Sequence, residues 1–149
     1  IPAYRWMARE MRDRLGAPAD RRQMPIWIWC QWRGVSRRRP DLRSRGHLPP
    51  GATGVRIELE LDEDRVLCSD FELWHYALNG WYLPESLADE REFDAYPDRG
   101  RIAPSWRRMF NLEWRNRRYA AALAEKSIQG VAWELRPQDV RRSASFVAR

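Results

Sequence analysis

Lysine is almost missing from this chain: Lys126 stands alone beside 26 arginines in 149 residues. Histidine and cysteine are nearly as scarce, two of each. Two cysteines exclude a disulfide-dense secreted scaffold. His47, His75, Cys30 and Cys68 show no C-x-x-C or H-E-x-x-H spacing, so no metal site is expected. No apolar run approaches the roughly 20 residues of a membrane-spanning helix, and no basic-then-apolar leader opens the chain. A cytoplasmic location is therefore expected. Missing too are a glycine-rich phosphate loop between strand and helix and a G-x-S-x-G elbow, which removes the familiar forms of those chemistries.

Nine tryptophans are present, and most belong in a core because each buries a large area. The length fits one domain, taken as residues 1–149, with a core that needs no disulfide. Cys30 and Cys68 lie in apolar segments and read as buried free thiols, with one disulfide as the alternative. The chain begins with Ile1, so an amino-terminal segment is expected to precede it. The net charge of +6 suits a phosphate-rich partner, but 21 acidic residues are interleaved with the basic ones, which favours a solvated arginine-rich surface.

The patterning predicts an α+β domain with one small mixed or antiparallel sheet of about four to five strands, packed by several helices. Tyr4 to Leu15 reads as an amphipathic helix stopped by Gly16 and Pro18. Pro25 to Trp32 reads as a strand covered on both faces. Residues 33–54 form an arginine-rich loop, a length that is usually functional or disordered. Val55 to Leu61 alternates, which turns Val55, Ile57, Leu59 and Leu61 inward and Arg56, Glu58 and Glu60 outward. A short strand at Val66 to Cys68 precedes a helix that ends at Asn79-Gly80. A short helix spans Ala88 to Tyr96. Another opens near Pro104, carries Trp106, Phe110 and Trp114, and continues through Glu125, with a break near Asn111. Ser127 to Leu135 and Ala144 to Ala148 read as closing strands.

The segment from Ser69 to Asn79 concentrates the chemistry. Ser69 and Glu72 match a capping box, and Asp70 falls in the first turn, where its charge suits the helix dipole. Phe71, Trp74, His75 and Leu78 share one face, expected to point inward. His75 there reads as a core histidine bonded to a backbone carbonyl, or as an acid–base group with Asp70 nearby.

The runs PIWIWCQW, VRIELEL, VLCSDFELWHYALNGWYLP and, more weakly, PSWRRMFNLEW and SIQGVAWEL resemble an uncharacterised bacterial family, domain of unknown function 3841. The resemblance implies a bacterial cytoplasmic protein with a longer amino terminus. It brings no activity and no catalytic residue.

Three functional readings follow. The first is a small-ligand or nucleotide site, enzymatic or purely binding, near the start of the 70–79 helix. Its candidates are His75, Asp70 and Glu58 for acid–base work, with Arg56, Trp74 and Asn79 for binding. Trp27 and Trp29 would form an aromatic wall, with core packing as the alternative. The element order is similar to that of ADP-ribosyl-transferring folds, which would add Gln129 and Glu134. The second is a nucleic-acid surface built on the 33–47 loop. The third is a protein-interaction module. No cofactor and no oligomeric state can be named.

Overall fold

The computed structural model describes residues 2–36 and 39–149, so Arg37 and Arg38 of the arginine-rich loop lie outside the described residues. Four helices and five strands alternate irregularly. They are α1 (Pro2–Leu15), β1 (Ile26–Gln31), β2 (Thr53–Leu59), β3 (Leu67–Asp70), α2 (Phe71–Asn79), α3 (Leu87–Ala95), α4 (Arg99–Ser105), β4 (Ile128–Ala132) and β5 (Val140–Val147). The α+β class holds. The strands divide into two antiparallel sheets instead of one: β1-β4-β3, with β4 central, and a β2-β5 ribbon.

Helix α1 lays Ala3, Trp6, Met7 and Met11 into the core, and Gly16 at φ 87° ends it. Tyr4 and Leu15, expected on the inward face, are only half-buried. Opposite α1 the core receives Leu73, Trp74 and Ala77 of α2, Val131 of β4, and Trp106 and Met109. Aromatic edges knit the layer: Trp6 meets Trp106 at 5.3 Å between ring centroids, and Trp27 of β1 meets Trp74 at 4.9 Å. Glu10 is buried within α1 and is held by Arg107 Nε at 2.9 Å, which ties the helix to the segment after α4.

Several expectations need correction. Strand β1 is an edge strand of partial burial, not one covered on both faces. The inward face of α2 is Leu73, Trp74 and Ala77; Phe71 and His75 are half-buried and Leu78 is exposed. Pro104 lies near the end of α4, not in the first turn of a new helix. From Trp106 to Phe110 the chain tightens into a 3-10 helix and stops at Asn111. No helix continues to Glu125; that stretch is irregular, with one 3-10 turn at Leu123–Glu125. A proline two residues before Trp106 removes a backbone donor and crowds the preceding turn, which favours short, tight geometry here.

The largest reversal concerns β2. Val55 and Ile57, expected inward, are 58% and 50% exposed. Arg56 and Glu58, expected outward, are half-buried. The cause lies in the partner strand and the loop. Gly54 pairs with Phe146 and Arg56 with Ala144 on β5. A Cβ at Gly54 would come within 2.5 Å of the Phe146 ring and 2.7 Å of Leu48, so Phe146 and Leu48 close over the glycine on that face. The arginine-rich loop thereby covers the charged side of the ribbon, and Val55 and Ile57 are left exposed. The loop is tied down by backbone bonds, Gly34 N to Lys126 O at 3.0 Å, Arg149 N to Arg43 O at 2.8 Å and Gly51 N to Ala148 O at 3.0 Å.

Candidate functional site

The start of α2 is built by Asp70 and not by Ser69. Asp70 Oδ1 accepts from the backbone N–H of Glu72 at 3.0 Å and of Leu73 at 3.3 Å. The carboxylate carries full charge to donors that a serine hydroxyl would meet only as a neutral acceptor. Ser69 instead pairs with Gln129 across β3 and β4, and Gln129 Nε2 donates to Ser69 Oγ at 3.4 Å in a buried position. The other oxygen of Asp70, Oδ2, accepts from Lys126 Nζ at 2.6 Å. Lys126 donates again to the Trp114 carbonyl at 3.0 Å. Both charged side chains are shut away from solvent. Asp70, the expected acid–base partner of His75, is thus consumed by a helix cap and an ion pair.

His75 turns back on its own helix. Its Nδ1 lies 3.1 Å from the Phe71 carbonyl, so that nitrogen carries the proton and donates. Asn79 is exposed and donates from Nδ2 to the His75 carbonyl at 2.7 Å. Trp74 is buried. Trp27 packs on Trp74 and on Tyr4, while Trp29 packs on Phe71 at 4.7 Å and on Trp32 at 4.6 Å. Both tryptophans pack on the protein's own aromatics and at the same time border the groove between β1 and β2. Glu134 lies just past β4, exposed and paired with Arg136.

Arg56 and Glu58 come together elsewhere, with residues the sequence offered only as loop arginines. Arg39, Pro40, Asp41, Arg43, Arg56 and Phe146 line a cleft of about 470 Å³ between the loop and the ribbon. Arg39 and Arg56 also border a larger groove of about 650 Å³, which runs between β1 and β2 past Ile28, Ile57 and Leu59. Glu58 bridges the two arginines: Arg39 Nη2 is 3.1 Å from Oε2, and Arg56 Nη2 is 3.3 Å from Oε1. Arg43 chelates Asp41 through Nε at 2.8 Å and Nη2 at 3.1 Å, and this holds the Asp41 carboxyl down to about 2. Arg39, Arg43 and Arg56 line the cleft with one carboxylate, Asp41, while Glu58 borders the adjoining groove and pairs with Arg39 and Arg56 from there. Two atoms remain unsatisfied. Arg56 Nε and Glu58 Oε1 are out of contact with solvent and make no hydrogen bond among the described residues, although Oε1 keeps its 3.3 Å ion-pair contact with Arg56 Nη2.

The candidate set therefore divides. Arg56 faces the cleft, and Arg56, Glu58, Trp27 and Trp29 together border the larger groove, whereas Asp70 and Gln129 are sealed in the core and His75 and Asn79 bond within α2. Arg39 and Arg43 join the cleft only because the loop folds back on β5, and their spacing from Arg56 carries no signal of that. Among the described residues no group of three or more histidine, cysteine or acidic side chains is placed to hold a metal ion.

In fold, this is an α+β protein of two small antiparallel sheets with an arginine-lined cleft beside the ribbon. The chain belongs to the family Domain of unknown function (DUF3841), whose model matches residues 1–103. That match takes in α1, β1, the loop, β2, β3, α2, α3 and most of α4, and it stops before β4 and β5. No curated protein and no solved structure matches the chain. No helix among the described residues is long and apolar enough to cross a membrane.

Proposed function

We propose that the cleft between the 39–43 segment and the β2-β5 ribbon binds a small anionic ligand that also carries a hydroxyl group, such as a nucleotide or a sugar phosphate. The observation that carries this reading is the unsatisfied pair Arg56 Nε and Glu58 Oε1. A polar atom withdrawn from water without a partner is uncommon in a native fold and calls for a group to meet it. Here a donor and an acceptor stand side by side. A phosphate or carboxylate oxygen would accept from Arg56, which borders both the cleft and the adjoining groove, and a ligand hydroxyl would donate to Glu58 on the groove side. Arginine is suited to this role, because its planar fork matches such oxyanions. The apolar groove that continues past Ile57 and Leu59 would take the body of the ligand.

A nucleic-acid surface has less support. The loop arginines that would contact a backbone are partly committed, Arg43 to Asp41 and Arg39 to Glu58.

Thermal-shift titration with inorganic phosphate, ribose 5-phosphate, ADP and NAD tests the proposal. At a concentration of 100 times Kd, binding adds about 2.7 kcal/mol, a rise in melting temperature of several degrees. Arg56→Ala should abolish the shift, and Arg56→Lys should weaken it. If none of the four compounds stabilises the protein, or if Arg56→Ala responds as the parent does, the reading is wrong.

A further inference from the structure

Cys30 and Cys68 are 38 positions apart and sit on the two outer strands of the three-stranded sheet, yet their sulfurs are 3.7 Å from each other. Two features bring them there. The first is Gly130 on the central strand β4, which pairs with Cys68 on one side and Ile28 on the other. A Cβ at Gly130 would lie 2.9 Å from Cys30 Sγ and 2.7 Å from Val66, so the missing side chain is the gap through which the thiols meet. The second is a bulge in β1: Trp29 pairs with Gln129 and Gln31 with Ile128, which leaves Cys30 as the extra residue. A bulge of this kind bends the strand and re-aims the side chain it carries.

The sequence expectation of two buried thiols is corrected in the same place. Cys30 is exposed and Cys68 is half-buried. Cys30 also borders the groove between β1 and β2, so a solute reaches the pair. The thiols are within hydrogen-bond reach of each other, and the contact moves their affinities for a proton in opposite directions. Cys30 is held protonated by donating to Cys68, and Cys68 is lowered to about 7 by accepting that bond. Cys68 therefore carries substantial thiolate character at neutral pH, and the thiolate is the form that binds metal.

A disulfide does not fit this arrangement. Strands β1 and β3 are separated by two spacings of about 4.8 Å, whereas a disulfide requires Cα atoms within about 7 Å. Closing the S–S bond would draw the outer strands together through β4 and break its ladder. A bridging ion fits. Each side chain already reaches toward the other over Gly130, and an inserted ion lengthens the link instead of shortening it. With no third ligand placed nearby among the described residues, the ion must be satisfied by two sulfurs. Soft thiolates with low coordination number select a soft d10 cation.

We propose that Cys30 and Cys68 form a two-thiolate site for a soft cation of the copper(I) class, held across the glycine of the central strand. Binding makes two metal–sulfur bonds, displaces the ion's previous ligands and releases the proton that Cys30 holds. No electron changes hands.

The test is anaerobic titration of the reduced protein with copper(I) supplied as its acetonitrile complex, in competition with bicinchoninate. One ion per chain should be withdrawn from the chelator, and Cys30→Ser or Cys68→Ser should each weaken binding at least 100-fold with circular dichroism unchanged. X-ray absorption of the loaded parent protein should show two sulfur neighbours, a result that does not depend on how the variants fold. Equal affinity in the parent and in folded Cys68→Ser protein overturns the proposal. So does a copper shell of nitrogen or oxygen. A Cys30–Cys68 disulfide mapped in protein that keeps its native circular dichroism overturns it as well.

Discussion

Lys126 Nζ lies 2.6 Å from Asp70 Oδ2, with the two side chains 1% and 3% exposed. The only lysine in the chain is therefore among its most buried residues, and it joins the segment before β4 to the start of α2. Each partner has further bonds, Asp70 to the first N–H groups of α2 and Lys126 to the Trp114 carbonyl. That satisfies the ions in the only way a low-dielectric interior tolerates them, paired and hydrogen-bonded.

Breaking this pair should be costly, and removing it whole should cost less. Lys126→Met leaves a buried carboxylate without its counter-ion and should destabilise the fold by about 3–5 kcal/mol. Adding Asp70→Asn keeps an acceptor for the helix cap and removes the orphan charge, so the double variant should recover part of the loss. Urea unfolding of the two single variants and the double variant checks this. Strict additivity would mean that the charges do not act as a pair.

Asp139 gives a pH dependence. Arg65 grips its two oxygens at 2.7 and 2.8 Å, and the Arg136 N–H adds a bond at 2.7 Å. The guanidinium holds the Asp139 carboxyl down to about 2. An unfolded aspartate titrates at about 3.9. Because the folded value is the lower one, the stabilisation is fully present above about pH 4 and is lost as pH falls through about 2. Asp139→Asn should be less stable than the parent at neutral pH, and the gap should narrow between about pH 4 and pH 2. A gap that stays constant across that window would exclude the linkage.

Gly130→Ala should destabilise by about 1–3 kcal/mol through overpacking. Its Cβ would stand 2.7 Å from Val66 Cγ2 and 3.1 Å from Ile28 Cγ1 in addition to the Cys30 sulfur. Thermal unfolding reads the cost. The same change in a Cys30→Ala background should recover only a small part of it, because Val66 and Ile28 still stand in the way.

The reversed ribbon makes a prediction that alternation alone would get backwards. Ile57→Ser should change stability by no more than about 0.5 kcal/mol, as for an ordinary surface position. Leu73→Ala, at a fully buried site of α2, should cost about 2–5 kcal/mol. Chemical denaturation of both variants decides it, and a large loss at Ile57 would mean that this face is covered in solution.

The local period of the sequence marked most of the helices and strands, though not the course of the chain between Arg99 and Glu125. α1, α2, α3, β1, β2 and β4 fall close to where the pattern put them, β3 runs on through Asp70 and β5 starts four residues earlier than expected, and Gly80 in the left-handed region closes α2 at the expected place. Arg56 and Glu58 were legible as one charged stripe, because alternation alone puts them on the same side. What alternation cannot say is which side is covered. That depended on Phe146, far along the chain, closing over Gly54 together with Leu48 of the loop. Burial at the other expected site residues was decided in the same way. Asp70 lost its solvent to Lys126, 56 positions on, and Trp27 and Trp29 were packed on Trp74, Phe71 and Trp32. The meeting of Cys30 with Cys68 needed a bulge in one strand and a missing side chain in another, neither of which leaves a mark in the spacing of the cysteines. Periodicity fixes which residues travel together; only long-range contact decides what they face.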